Sequence, residues 1–100
     1  MNISKRDAEL LLVSKAIISK ASTPANPDDV ARSINIVING TEGDDANFLT
    51  MTLTLTFDEA REYVIALNLV RRVFDEESRQ NSILRVLAKR LTKHFILTAL

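Results

Sequence analysis

Few side chains in this sequence could do covalent or acid-base chemistry. His94 is the only histidine and there is no cysteine, which removes thiol nucleophiles and thiolate metal sites. At helical spacing His94 falls beside the apolar positions Ile83 and Leu87, which is typical of a structural, partly buried histidine. No acid or nucleophile stands at a recognisable spacing from it. We therefore predict no catalytic residue and no enzymatic activity; a small enzyme using His94 with Tyr63 or a carboxylate is the least favoured alternative.

A loop predicted at residues 39–47 is rich in side-chain oxygens, the ligands that calcium prefers. It lacks the acid spacing and final glutamate of helix-loop-helix calcium sites, and no Gly-Lys-Ser/Thr follows its glycines as in a phosphate-binding loop. We expect no metal and no cofactor. The acids of this loop, Glu42, Asp44 and Asp45, are instead predicted to contact a partner.

The end of the chain is locally cationic, although 13 Lys and Arg balance 13 Asp and Glu overall. After Glu77 the sequence contains Arg79, Arg85, Lys89, Arg90 and Lys93 and no acid. Arg85, Lys89 and Lys93 share one side of a predicted helix. With Arg79 they are predicted to contact a partner, either another protein or a nucleic acid; a solvated helix face is the simpler alternative.

Proline and glycine occur only in the first half of the chain, at Pro24, Pro27, Gly40 and Gly43. The capping-box spacing of Ser4 and Asp7 predicts a helix over residues 5–21. A second, short helical turn is predicted over residues 27–32. There Asn26 is the cap and Pro27 takes the first helical position.

Two segments alternate between apolar and polar residues, which predicts strands. In residues 33–39, Ile34, Ile36 and Ile38 alternate with polar residues and Val37. In residues 49–57, apolar side chains alternate with four threonines. Together they are predicted to form an antiparallel hairpin joined by the loop at residues 39–47.

The rest of the chain is free of proline and glycine, which predicts helix. Thr56 and Glu59 have capping-box spacing, so a helix is predicted over residues 58–74. A break in the polar residues 75–82 is followed by a second helix over residues 82–98. The predicted fold class is α+β, one domain over residues 1–100 with the order α-α-β-β-α-α.

The strand-helix-helix order of residues 49–100 is similar to that of the ribbon-helix-helix DNA-binding family, whose strand enters the major groove. Here the polar strand face carries threonines and no Arg, Lys, Gln or Asn to read base edges. We therefore expect this face to be exposed to solvent without reading bases.

The helix predicted at residues 58–74 carries apolar residues over more than half of its circumference. A chain of 100 residues offers too few other elements to cover all of that surface. We expect the chain to form a homo-oligomer, most simply a two-fold dimer, that buries Ile65, Leu69 and Val73.

The predicted function is that of a small non-enzymatic interaction protein. It would be a regulator, inhibitor or adaptor that docks on a larger assembly, of the kind that phages and other mobile elements encode. The alternative is a nucleic-acid-binding dimer that uses its basic last helix. The longest apolar run, residues 10–13, is far too short to cross a bilayer and no secretory signal is visible, so we predict a cytoplasmic protein with no membrane partner.

Overall fold

Four helices form most of the protein. The computed structural model describes residues 1–19, 26–41 and 50–99, and 80% of it is helical. The helices are α1 (Lys5–Ser19), α2 (Pro27–Thr41), α3 (Phe57–Val70) and α4 (Arg79–Leu91). The 3-10 turn Arg71–Val73 extends α3, and the π turn Thr92–Ile96 and the 3-10 turn Leu97–Ala99 extend α4.

The predicted α+β fold with a central hairpin is wrong, because residues 33–39 lie inside α2. Ile34 and Ile38 are two residues from Ile36 but four from each other, so they satisfy the strand period and the helix period alike. The structure follows the helix period: Val30, Ile34, Ile38 and Thr41 are buried. Ile36 is 65% exposed. The turn predicted to end near residue 32 is therefore a helix of 15 residues.

The sheet has two short antiparallel strands, β1 (Asn2–Ser4) and β2 (Thr50–Thr52). Ile3 pairs with Met51, and the ladder continues where the Leu53 N–H donates to the Met1 carbonyl at 2.7 Å. The strand predicted over residues 49–57 is thus shorter and pairs with the N-terminus, not with residues 33–39. Its threonine face is exposed, as expected.

The predicted helix starts are confirmed where a local cap defines them. Ser4 Oγ accepts a hydrogen bond from the Asp7 N–H at 3.2 Å, and α1 begins at the predicted residue. At α3, Thr56 and Glu59 form the complete capping box. The end predicted for α1 at residue 21 lies outside the described residues.

The two C-terminal helices occur with shifted bounds. The α-helical part of α3 ends at Val70 and the 3-10 turn carries the chain on to Val73. The predicted break is present, but α4 begins three residues earlier than residue 82, because Ser78 Oγ accepts from the Asn81 N–H at 3.1 Å and caps it.

The buried apolar residues form one cluster around α3. The helices α1 and α4 and the π turn pack against α3, while α2 packs mainly against α1. Ile3 brings the N-terminal strand into the same cluster. The cluster consists of Ile3, Leu10, Leu11, Val30, Ile34, Ile38, Leu67, Val70, Leu84, Leu87, Ala88 and Leu91.

Candidate interaction surfaces

The cationic side chains of α4 lie on its solvent side because its leucines take the core side. Leu84, Leu87 and Leu91 are buried. On the other side Arg85 is half-buried, and Lys89 and Lys93 are exposed. None of these three cations forms a hydrogen bond or ion pair with the residues that the structure describes. The stripe predicted from the sequence therefore exists as a free cationic surface within the described part of the chain.

An apolar side chain borders this surface. Val86 is 51% exposed. Val86 is three residues before Lys89 and seven before Lys93, so it lies beside these two cations. Arg85, one residue away, is about 100° around the helix from it. Arg79 is also exposed, and it lies six residues, or nearly two helical turns, before Arg85. We call Arg79, Arg85, Val86, Lys89 and Lys93 the α4 face.

The fifth cation of the C-terminal region, Arg90, has a different role. Its Nη2 donates to the Asn2 carbonyl at 2.7 Å, and its Nη1 lies 3.6 Å from Asp7 Oδ2. Asp7 is 7% exposed and also contacts Arg6 Nε at 3.2 Å. Arg90 therefore ties α4 to the N-terminus and is excluded from the α4 face.

The acids predicted to contact a partner, Glu42, Asp44 and Asp45, lie outside the described residues. The start of their predicted loop does not form a loop, since Asn39 and Gly40 belong to α2. The last residue of that helix, Thr41, donates its hydroxyl to the Val37 carbonyl at 3.0 Å. In the described ranges no three potential metal ligands lie together.

The predicted oligomer residues divide into two environments. Ile65 and Leu69 are 46% and 37% exposed on the outer side of α3. Val73 lies in the 3-10 turn and is half-buried against the core. Ile65 also lines a shallow groove of about 250 Å³ between α1 and α3, together with Ile18, which is 39% exposed. Ile18 and Ile65 thus form an apolar patch at this groove, and Leu69 lies one turn further along α3.

A cross-helix contact lies beside the groove. Lys15 of α1 has its Nζ 3.1 Å from Glu62 Oε2 and 4.9 Å from the centre of the Tyr63 ring. The hydrogen bond to the Glu62 carboxylate raises the pKa of Lys15 above its ordinary value. The aromatic face of Tyr63 is therefore covered by a cation. Sequence reasoning missed this contact because the residues that it joins are on separate helices.

His94 is exposed, contrary to the expectation of a partly buried histidine. It lies in the π turn, where the wider helical turn shifts side chains away from the positions that the α period assigns. Its ring centre is 5.9 Å from that of Phe95, with the planes tilted by 44°. Among the described residues its side chain has no hydrogen-bond partner.

Asn81 is a buried polar residue that sequence reasoning missed. It is 2% exposed. Its Oδ1 accepts from Arg71 Nη1 at 3.2 Å, and its Nδ2 donates to the Arg71 carbonyl at 2.9 Å. Its position three residues before Leu84, on the apolar arc of α4, is the feature of the sequence that indicates burial. Its contacts hold α4 against the end of α3, which is a structural role.

Comparisons of this chain with protein-family models, curated proteins and solved structures find no match. Across the described ranges, no helix combines the length and apolar character needed to span a bilayer. Within the described residues, the α4 face and the apolar patch at the α1–α3 groove each place exposed apolar side chains next to charged ones.

Proposed function

We propose that this protein is a small non-enzymatic interaction protein that docks on an acidic surface of another protein through the α4 face. The observation that carries the proposal is the half-exposed Val86 with the exposed cations Lys89 and Lys93 beside it. An apolar centre with a polar rim is the usual anatomy of a protein–protein contact. Cations at the rim select a partner of opposite charge and accelerate the encounter.

The exposed valine favours a protein partner over a nucleic acid. Phosphate groups attract cations, but they offer no surface that would bury Val86. A protein partner can both pair with Lys89 and Lys93 and remove the valine side chain from water. Such docking fits a regulator, inhibitor or adaptor of a larger assembly. The cytoplasmic location stays a prediction.

A nucleic-acid-binding dimer is the second candidate, and the free cations Lys89 and Lys93 favour it. In a two-fold dimer two such surfaces would combine, which would compensate for the zero net charge of the chain. We also propose that the chain self-associates through Ile65 and Leu69, with Val73 at the edge of the contact. Self-association is compatible with either partner.

The test is affinity capture from a lysate of the source organism with tagged wild-type protein and two variants of the α4 face. Lys89→Glu/Lys93→Glu reverses the charge of the rim, and Val86→Ser removes the apolar centre of the contact. We expect both variants to lose proteins that the wild type captures, because both parts of the contact are needed. The matched control Lys5→Glu/Arg32→Glu makes the same charge change at exposed positions of α1 and α2. Capture of the same proteins by all four baits would contradict the proposal.

A mobility-shift measurement with mixed oligonucleotides at about 50 and 200 mM salt tests the second candidate, nucleic-acid binding. Retardation that falls steeply with salt, disappears in Lys89→Glu/Lys93→Glu and persists in Val86→Ser would favour nucleic-acid binding. An absence of retardation at the lower salt concentration would reject it.

A further inference from the structure

The outer side of α3 carries an acid, an apolar residue and a base at equal spacing. Asp58 lies in the first turn, Ile65 follows seven residues later, and Arg72 follows after seven more. Seven residues are close to two helical turns, so the three side chains share one side of the helix within about 20° per step. All three are exposed. Neither Asp58 nor Arg72 has an ion-pair partner in the described part of the chain.

The axial distances are nearly symmetric about Ile65. At 1.5 Å per residue Asp58 lies about 10.5 Å before it. Arg72 lies about 11 Å after it, because the 3-10 turn rises slightly more per residue than the α-helix. A helix face with an acid and a base at equal distances from an apolar centre complements a second copy of itself that runs in the opposite direction.

We propose that two copies of this chain pair through antiparallel α3 helices, with the two-fold axis at Ile65 and with Asp58 of each copy paired to Arg72 of the other. This inference rests on the self-association part of the proposed function and names its geometry. The two Ile65 side chains meet at the axis, where a two-fold contact requires like residues to face each other.

The remaining residues of the α3 face suit this arrangement. Because the axis is at Ile65, Leu69 of one copy lies at the level of Arg61 of the other, and Asn68 at the level of Glu62. The Oδ1 of Asn68 already accepts from Arg71 Nε at 3.0 Å, which leaves its amide nitrogen to donate to the Glu62 carboxylate of the second copy. The charged pairs form the rim around an apolar centre.

The test is the molar mass of the full chain in solution, measured by light scattering across a concentration series at low salt. We expect the wild type to reach twice the 11.2 kDa of one chain. Asp58→Arg places two arginines opposite each other at both ends of the contact, and Arg72→Asp places two acids there. Each variant alone should weaken self-association by about tenfold or more, because like charges then meet twice.

A mixture of the two variants gives the decisive outcome. At one end of a mixed pair, the arginine introduced by D58R faces the aspartate introduced by R72D. At the other end the unchanged Asp58 of one copy faces the unchanged Arg72 of the other, so complementarity is restored at both ends. We expect the equimolar mixture to recover a dimer, which also shows that both variants are folded. Arg32→Asp, which changes an exposed cation of α2, should dimerise like the wild type.

Three results would overturn the inference: a wild type that stays monomeric at several hundred micromolar, single variants that dimerise like the wild type, or a mixture that remains monomeric. A second copy would then not cover this face, and another occupant would have to be sought. The capture experiment on the α4 face uses other residues and another readout. Failure of the dimer therefore leaves its result unchanged.

Discussion

Glu59 is the residue whose protonation most directly affects the start of a helix, because its carboxylate is part of the capping box of α3. Its Oε1 accepts the Thr56 N–H at 3.0 Å, while Thr56 Oγ1 accepts the Glu59 N–H at 3.2 Å. The hydrogen bond from the Thr56 backbone lowers the pKa of Glu59 below its ordinary value. A lowered pKa in the folded state means that the unfolded chain binds the proton more readily. The stabilisation by Glu59 is therefore present above the ordinary value and is lost as the pH falls through the lowered one.

We expect Glu59→Gln to reduce the pH dependence of stability. Gln keeps an oxygen acceptor for the Thr56 N–H but has no charge to lose. Between about pH 6 and pH 3 the free energy of unfolding should fall less in the variant than in the wild type. Urea denaturation at a series of pH values measures the free energy of unfolding of the wild type and of the variant. Glu76→Gln, which lies outside the capping box, is the control. Equal losses in the wild type and in Glu59→Gln would show that the cap is not pH-sensitive.

Local spacing decides which residue contacts the sequence can predict. The capping box of Thr56 and Glu59 involves residues three apart, so the sequence predicts it and the structure confirms it. The contact of Lys15 with Glu62 joins residues 47 positions apart and depends on how α1 packs on α3. The same holds for Asp7 with Arg90, which brings opposite ends of the chain together. Such contacts require the fold before they can be recognised.

At the scale of elements, α2 shows where pattern reasoning fails. Apolar residues at 34, 36 and 38 fit a strand, but Ile34 and Ile38 fit a helix equally well. The contacts of α2 with α1, with α4 and with the 3-10 turn favour the helix and bury the face that includes Val30. The tertiary environment outweighs the modest β preference of isoleucine. The wrong period also led to the wrong partner for β2, since a helix at residues 27–41 leaves β2 to pair with β1.

Two alanine substitutions distinguish the helix from the predicted strand. Ile34 is 0% exposed and Ile36 is 65% exposed. We expect Ile34→Ala to lower the free energy of unfolding by about 2–4 kcal/mol through the lost burial and the cavity left behind. Ile36→Ala should change it by less than about 0.5 kcal/mol, since the side chain is in solvent and alanine favours helix. Chemical denaturation measures both. Similar losses would contradict the helix, because alternate residues of a strand share one face.

At the scale of the whole molecule, the apolar surface of α3 is mostly covered within the chain. The predicted hairpin is absent, and the helix that replaces its first strand, α2, packs mainly on α1. The helices α1 and α4 and the π turn pack on α3, which buries Ala66, Leu67 and Val70. On the outer side, Ile65 and Leu69 stay exposed. The surface available for the expected self-association is therefore limited to the outer side of α3.

The N-terminal strand completes the core from outside the helices. Ile3 is 1% exposed and belongs to the central cluster, whereas its partner in the sheet, Met51, is 49% exposed. The Arg90 side chain and the hydrogen bonds between Met1 and Leu53 hold the strand in place. We infer that β1 is part of the cooperative unit, not an arm that frays independently.

Ile3→Ala is therefore expected to lower the stability of the whole chain. The expected loss is about 2–4 kcal/mol, which corresponds to a decrease in Tm of about 4–8 °C per kcal/mol for a chain of this size. Met51→Ala, directly opposite in the register, should cost less than about 1 kcal/mol because the side chain is half exposed. Thermal unfolding followed by helix circular dichroism reports on α1 to α4 and not on the sheet itself. If β1 frayed independently, the helix transition of Ile3→Ala would match that of the wild type; a shared shift would place the N-terminal strand in the same cooperative unit as the helices.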